Sequence, residues 1–426
     1  MFASQEVPYQ VVRLLVEHDR LDILRTEADS GDWQCGDALG SELLRRGETE
    51  AALAVYRGFA GSGWGAACHR IATILENEHG MDRAIEFLRP YADAGQRNAV
   101  HDLALLLGRQ GRLDEVLTLL QPCLTDWFLV SALVEATAGG DRDDEVTAAL
   151  MDLSGPHNAT QSLATVLERQ GRLDEAIAVL RKAPRGSVDD IERLADLLAK
   201  DGRESELRDL VAGDGAEHAA YRLADLLEEQ GRVAEAVAAL RPFAEDGNTD
   251  VAGALADLFL RQGRIDDATE VLYAGIRSEG GAHGCTRARL WTMLIEAGRL
   301  DEALRLLGEL ERDFEGQEEN LQDRIWLLQE LGRDEEVLAL LRAHPRAGEG
   351  YWLCRQAAVL TRIGRADEAI ELLRPYATSY FVGDDLAALL IRRGDVDEAM
   401  AVVRGREPLD LGPDPWAGLG LERAAQ

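Results

Sequence analysis

The phrase Gly171-Arg172-Leu173-Asp174-Glu175-Ala176 recurs with variation about every thirty residues along the whole chain. A period of that length confines the fold to stacked supersecondary units, because one such unit cannot bury both of its apolar faces and must lay one on its neighbour. Anchored on the residue equivalent to Gly171, the units fall at Asp19, Gly47, His79, Gly111, Asp141, Gly171, Gly202, Gly231, Gly263, Gly298, Gly332, Gly364 and Gly394. The 426 residues therefore read as one array of about thirteen units.

Upstream of each anchor lies an apolar pattern at helical spacing, as in Leu163-Ala164 with Leu167, Leu194-Ala195 with Leu198, and Leu386-Ala387 with Leu390. Residues three and four apart share one face, so each pattern predicts an amphipathic helix, here helix A. Glycine ends it by taking up a left-handed C-terminal conformation. Downstream, Asp174, Asp301, Asp367 and Asp397 are placed to cap a second helix, B. Ala176, Ala236, Ala268, Ala303, Ala369 and Ala399 are then the close contact between A and B, with Leu180, Leu240, Leu307 and Leu373 on the same face. Prolines at 90, 122, 242 and 375 should kink or break their B helices.

The result is an all-α fold, a solenoid in the form of a right-handed superhelix of antiparallel helix hairpins. Its rhythm loosens at the glycine-rich stretch from Ser278 to Thr286, which divides the array into residues 1–280 and 281–405. Residues 406–426 are proline-rich, carry Trp416 and show no repeat, so they read as a cap or tail.

Acidic residues outnumber basic ones by 78 to 46, for a formal net charge of −32. Such a field repels phosphate backbones and anionic lipid, which makes nucleic acid and membrane surfaces poor partners. Five scattered cysteines without a Cys-x-x-Cys pair indicate neither a disulfide framework nor a zinc site. With no apolar run of transmembrane length and no leader pattern, a cytoplasmic location is expected. Arginine and alanine stand almost everywhere in place of lysine, which reads as the base composition of a high-GC bacterial genome.

At this point the residues carry a resemblance. Gln170 to Ala176, preceded by Leu163-Ala164 and Leu167, resembles the junction of the two helices in tetratricopeptide repeats, and the run from Ala92 to Ala104 is similar to Sel1-like repeats. The resemblance extends from about residue 10 to residue 405, although the period is short and the aromatic positions of helix A are mostly Ala or Leu. It implies a concave surface lined by helix A that holds a protein segment or peptide. Aligned in this way, the lining positions are Thr165, Arg169, Asp196, Lys200, Asp225, Glu229, Asp257, Arg261, Thr292 and Trp326. The Lys-and-Asn carboxylate clamp of chaperone-binding members is not reproduced.

Arginine follows the anchor in most units, for example Arg112, Arg172, Arg203, Arg232, Arg299 and Arg365. These arginines form either a line that grips an acidic partner or a ladder of ion pairs to neighbouring helix starts. Aromatic residues gather in the last third, at Trp291, Trp326, Tyr351, Trp352, Tyr376, Tyr380 and Phe381. They are either core filling or docking anchors, with Trp352 a candidate anchor.

The eight histidines lack metal-ligand spacing, and no phosphate-binding loop is present. Asp-Glu pairs recur in unit after unit, as a structural feature does and a unique active site does not. The expected function is thus that of a non-enzymatic, cofactor-free interaction scaffold with a protein or peptide partner, able to form homo-oligomers. A peptide-gated regulator flexing at the Ser278 to Thr286 junction is the alternative.

Overall fold

The computed structural model describes residues 6–151, 157–182, 188–213, 216–278, 284–314 and 318–406. Most of the glycine-rich junction and the whole tail beyond Arg406, including Trp416, lie outside these residues. The described chain is all-α and contains no strand.

In chain order the helices are α1 (Tyr9–Glu17), α2 (Leu21–Asp29), α3 (Trp33–Arg45), α4 (Thr49–Gly61), α5 (Gly65–His79), α6 (Met81–Asp93), α7 (Arg97–Arg109) and α8 (Leu113–Leu120). Next come α9 (Trp127–Ala136), α10 (Asp143–Met151), α11 (His157–Arg169), α12 (Leu173–Lys182), α13 (Val188–Lys200), α14 (Glu204–Val211), α15 (Ala216–Glu229), α16 (Val233–Glu245), α17 (Thr249–Arg261) and α18 (Ile265–Ser278). The series ends with α19 (Gly284–Glu296), α20 (Leu300–Asp313), α21 (Glu318–Glu330), α22 (Asp334–Ala343), α23 (Gly350–Arg362), α24 (Ala366–Leu373), α25 (Tyr380–Arg393) and α26 (Val396–Gly405). Odd-numbered helices are the A helices and even-numbered ones the B helices, and an A helix packs on the B helix that follows it, as α3 does on α4, α15 on α16 and α17 on α18.

The turn inside the hairpin is built as its sequence demands. Gly171 adopts φ +75°, its N–H bonds the Glu168 carbonyl at 2.9 Å, and the next N–H, of Arg172, reaches back to Leu167 at 2.9 Å. These two bonds close the end of α11 in the manner that a left-handed residue permits. The anchors at His79 and Asp141 are corrected: the left-handed residues there are Gly80 and Gly139. Asp19 is the single non-glycine left-handed residue among those described, at φ 55°.

The capping expectation is also corrected. The residue before helix B is the arginine itself, and Arg112, Arg203, Arg232, Arg299 and Arg365 make no side-chain cap bond. Asp174, Asp301, Asp367 and Asp397 sit inside the first turn, where a carboxylate meets the positive end of the helix dipole.

Ala176, Ala236, Ala268, Ala303, Ala369 and Ala399 are fully buried against their A helices, with Leu180, Leu240, Leu307 and Leu373 behind them. Pro90 and Pro242 are accommodated within α6 and α16. Pro122 and Pro375 instead fall in short 3₁₀ turns, Gln121–Cys123 and Arg374–Tyr376, that end α8 and α24.

The chain forms two compact units. Unit 2 is continuous, Cys123–Arg333, and unit 1 joins Met1–Pro122 to Asp334–Gln426. Within unit 1 the first and last hairpins pack on each other, α1 against α25. Gln10 Nε2 donates to Asp385 at 3.2 Å, Arg404 pairs with Glu27 at 2.5 Å, and Arg406 donates to the Glu6 carbonyl at 3.0 Å. Arg406 is 2% exposed, is paired with Asp384, and lies 4.9 Å over the Tyr380 ring. Nothing in the repeat pattern announces this seam.

Candidate functional site

The A helices of unit 2 bring several of the expected lining residues together. Asp196 and Lys200 on α13 and Asp225 and Glu229 on α15 surround a cavity of about 220 Å³ with Arg222. Asp225 also borders a second cavity of about 140 Å³, with Tyr221, Glu228, Asp257 and Arg261. The helical period explains the grouping, since Asp196 with Lys200, Asp225 with Glu229 and Asp257 with Arg261 are each four residues apart on one helix face.

Ion pairs cross from helix to helix on this face. Arg222 bonds Asp196 at 2.5 Å and approaches Asp225 at 3.4 Å. Lys200 reaches Glu168 at 2.7 Å, Arg261 reaches Glu228 at 2.6 Å, and Arg289 pairs with Asp257. Burial works to raise the Glu168 carboxyl, but Lys200 and Arg193 outweigh it and hold the group below the usual range. Arg261 likewise lowers Glu228. Burial pushes the Tyr221 hydroxyl up, and Asp250 and Glu217 add to it. The face thus alternates in sign and is cross-linked by partly exposed pairs.

The remaining expected residues are distributed differently. Thr165, half-buried on α11, spends its hydroxyl on the Gln161 carbonyl at 3.0 Å. Arg169 is a clamp within the array: it bonds Asp143 at 3.0 Å, the Val134 carbonyl at 2.5 Å and Thr137 at 2.9 Å, and so ties α11 to the α9–α10 hairpin. Thr292 is exposed on α19, and Trp326 is half-buried on α21. Trp352 belongs to unit 1 and is a correction: only 1% exposed, it stacks on His344 at 3.8 Å and fills core. The aromatic cluster of the last third thus divides, with Trp291 and Trp352 buried and Tyr351, Tyr376 and Phe381 exposed.

The anchor arginines form an internal ladder. Most pair three residues ahead, as Arg172 does with Glu175 at 2.7 Å, Arg203 with Glu206 at 2.5 Å and Arg232 with Glu235 at 2.7 Å, whereas Arg20 pairs two ahead with Asp22. Several also reach back to the preceding B helix, Arg203 to Asp174 at 2.7 Å, Arg232 to Glu204 at 2.7 Å and Arg299 to Asp266 at 2.7 Å. These guanidinium groups are occupied by the repeat itself.

Among the described residues, no group of His, Cys, Asp and Glu is arranged to hold a metal ion, and no helix is long and apolar enough to cross a membrane. Burial pushes the Cys35, Cys68 and Cys354 thiols up, away from the thiolate form that a nucleophile requires. His69 and His101 both approach Asp102, at 2.9 and 3.2 Å, linking α5 to α7.

Family models described as tetratricopeptide repeat match the chain at residues 98–122, 162–182 and 384–404, and a second such model matches residues 218–245. No curated protein matches the sequence. Among solved structures, the pentatricopeptide repeat protein PPR10 from maize is similar at 18% identity over 95% of this chain and 63% of that one, with a TM-score of 0.36. The chain therefore spans less than two thirds of that protein. Naa15/Naa10 bound to HypK-THB is similar at 13% identity over 92% and 67% of the two chains, with a TM-score of 0.35. Yeast Tom70 is similar at 12% identity over 85% and 89%, with a TM-score of 0.31. Tetratricopeptide-type folds generally mediate protein–protein interaction and are typically non-enzymatic. The phrase from Gly171 to Ala176 lies in one of these matched stretches, and the chain carries tetratricopeptide repeats at these four positions within an all-α array of helices.

Proposed function

We propose that this chain is an interaction scaffold, without catalytic activity or cofactor, that holds a segment of a partner protein along the A-helix face of unit 2. The observation that supports the reading is the clustering of Asp196, Lys200, Asp225 and Glu229 about one cavity and of Asp225, Asp257 and Arg261 about the next. Ion pairs that are partly exposed are exchanged at small cost, so a segment carrying charges of both signs can replace them one for one. Thr292 and Trp326 extend the face along α19 and α21. The net charge of −32 argues against nucleic acid and anionic membrane as the occupant. Free cysteines agree with a reducing cytoplasm. The run from Ala92 to Ala104 supports a Sel1-like character, and the scarcity of lysine a bacterial source.

The test is Asp225→Arg, measured against the partner that the wild-type chain captures from its native lysate. Affinity should fall about tenfold, or about 1.4 kcal/mol, with helicity by circular dichroism unchanged. Undiminished affinity in a folded variant sinks the assignment to this face.

A further inference from the structure

Unit 1 carries a second surface, which the seam creates. The starts of α23, α25, α1, α3 and α5 are neighbours along one edge. A Cβ added to Gly350 would lie 3.2 Å from Val382, which joins the starts of α23 and α25. Arg406 bridges Asp384 to the Glu6 carbonyl, joining α25 to α1. The Val7 N–H donates to Asp32 at 2.7 Å, joining α1 to α3, and Trp33 stacks on Trp64 at 5.4 Å, joining α3 to α5.

Each of these five A helices has an aromatic side chain at its first position or next to it, Tyr351, Tyr380, Tyr9, Trp33 and Trp64. Tyr351, Phe381 and Tyr9 are left 51%, 64% and 73% exposed, although they come from opposite ends of the sequence. Large exposed rings on adjacent helices are the unusual observation, since single exposed apolar side chains are ordinary.

A cavity of about 550 Å³ reaches this edge through Glu6 and Trp64; it is lined by Phe59, Trp64 and Gly58 and by the exposed carboxylates of Glu6 and Asp29. No basic residue lines it. Three arginines of this unit are engaged elsewhere, Arg404 by Glu27, Arg406 by Asp384, and Arg346 by Glu349 at 2.7 Å. Rings on this edge already receive guanidinium groups, Arg406 at 4.9 Å from Tyr380 and Arg355 at 6.0 Å from Tyr351. Acidic rim, aromatic faces and apolar floor all favour the same chemistry, that of a cation on an apolar stem.

We propose that this edge docks a basic, arginine-bearing segment of a partner protein, whose guanidinium groups lie on Tyr9 and Phe381 and pair with Glu6 and Asp29 while an apolar side chain enters the cavity beside Trp64. The site is independent of the A-helix face of unit 2. Because its parts come from both ends of the chain, a bound segment also favours the closed seam, by the linkage that stabilises any state a ligand prefers.

The probe is a short fluorescein-labelled peptide of arginine and leucine, read by anisotropy, beside the same peptide with glutamate at each arginine. Wild type should bind the first and not the second. Glu6→Arg with Asp29→Arg should lower affinity at least tenfold, and Phe381→Ala or Tyr9→Ala several-fold. Asp174→Arg with Asp266→Arg makes the same change in charge at carboxylates 92% and 87% exposed in unit 2. That control should stay within twofold of wild type, with circular dichroism confirming the fold of every variant. An equal loss in the control reduces the binding to general attraction by an acidic chain and overturns the proposal, as does undiminished binding by Glu6→Arg with Asp29→Arg. Sedimentation showing a dimer that Phe381→Ala abolishes would assign the edge to a second copy of the chain instead.

Discussion

Unit 2 and the seam of unit 1 join helices by different chemistry. In unit 2 successive hairpins follow one another in sequence, and their B helices are linked by exposed pairs such as Arg203 with Asp174 and Arg232 with Glu204. At the seam, Arg406 is buried between Asp384, the Tyr380 ring and the Glu6 carbonyl. The carboxylates respond in opposite senses. Arg203 and Arg181 hold Glu206 below the usual range, whereas burial holds Asp384 above it despite Arg406. A repeat can specify the stacking of like on like by many weak, identical contacts. A junction between unlike ends needs groups that fit one place only, and a buried ion pair is such a group because an unpaired alternative is so costly. Unit 2 uses the same device once the period lengthens: Arg287, 1% exposed on α19, bonds Asp323 at 2.6 Å and Asn320 at 2.8 Å on α21.

The sharpest way to break this contrast is Arg406→Ala. It strips the counter-charge from a half-buried carboxylate and empties the buried site of the guanidinium, and should destabilise the seam by about 3 kcal/mol. Arrays of repeats do not unfold in one step, so hydrogen exchange resolved by helix is the suitable measurement. Amides of α1 and α25 should lose protection while those of α12 to α16 keep it. Arg203→Ala, by contrast, should leave exchange in every helix close to wild type. Retained protection of α1 in Arg406→Ala would show that apolar packing alone holds the ends together.

Glycines sharpen the comparison at the next level of effect. A Cβ on Gly40 would stand 2.4 Å from the Tyr56 ring, and one on Gly36 would stand 2.2 Å from Phe59, so α3 and α4 of unit 1 meet through two missing side chains. Tyr56 is wholly buried. Gly40→Ala should therefore lower stability by about 1–3 kcal/mol through overpacking. Gly171→Ala meets no atom within 4 Å and loses only the ease of a left-handed turn at φ +75°, about 1 kcal/mol. Hydrogen exchange across α3 and α4 for the first variant and across α11 and α12 for the second checks the order, and a costlier Gly171→Ala would reverse it.

These two glycines also mark how far the sequence can be read. Gly171 is legible because its role returns in every unit, and so are Ala176 and Leu180 behind it. Gly36 and Gly40 are silent because the rings they admit come from another helix and recur nowhere else. Distances along the chain explain the other misses. Gln10 with Asp385 and Arg404 with Glu27 are 375 and 377 residues apart, and no local pattern links them. Asp174 stands two positions past the cap, inside the first turn, because an acidic residue is equally at home in either place. On the A-helix face, helical spacing groups Asp196 with Lys200 and Asp225 with Glu229, and the four line one cavity. It could not tell exposed Phe381 from buried Trp352, since both stand near the start of an A helix and only the packing of the neighbouring hairpins separates them.

The smallest effect should be the most diagnostic in sign. Glu115, Glu206, Glu235 and Glu368 are all held below the usual carboxylate range, first by hydrogen bonds from arginine, Arg89 for Glu115 and Arg203, Arg232 and Arg365 for the others. A carboxyl depressed in the folded state contributes stability that is complete above its unfolded pKa of about 4.5 and is lost as pH falls through the folded value. Asp384 is raised, so the folded seam takes up its proton first and gains relative to the unfolded chain as pH falls through that higher value. On acidification below pH about 4.5, exchange should therefore quicken at the starts of the B helices that carry these glutamates, α14 and α16 in unit 2 and α8 and α24 in unit 1, before it quickens at α1 and α25. Glu206→Gln should lessen the acid dependence at α14 without removing it, since Arg232 and Arg208 also hold Glu204 below the usual range, and added salt at neutral pH should weaken the ladder while leaving the pair of Arg406 and Asp384 almost untouched. Simultaneous acid loosening of the ladder and the seam would mean that the two kinds of junction share one electrostatic origin after all.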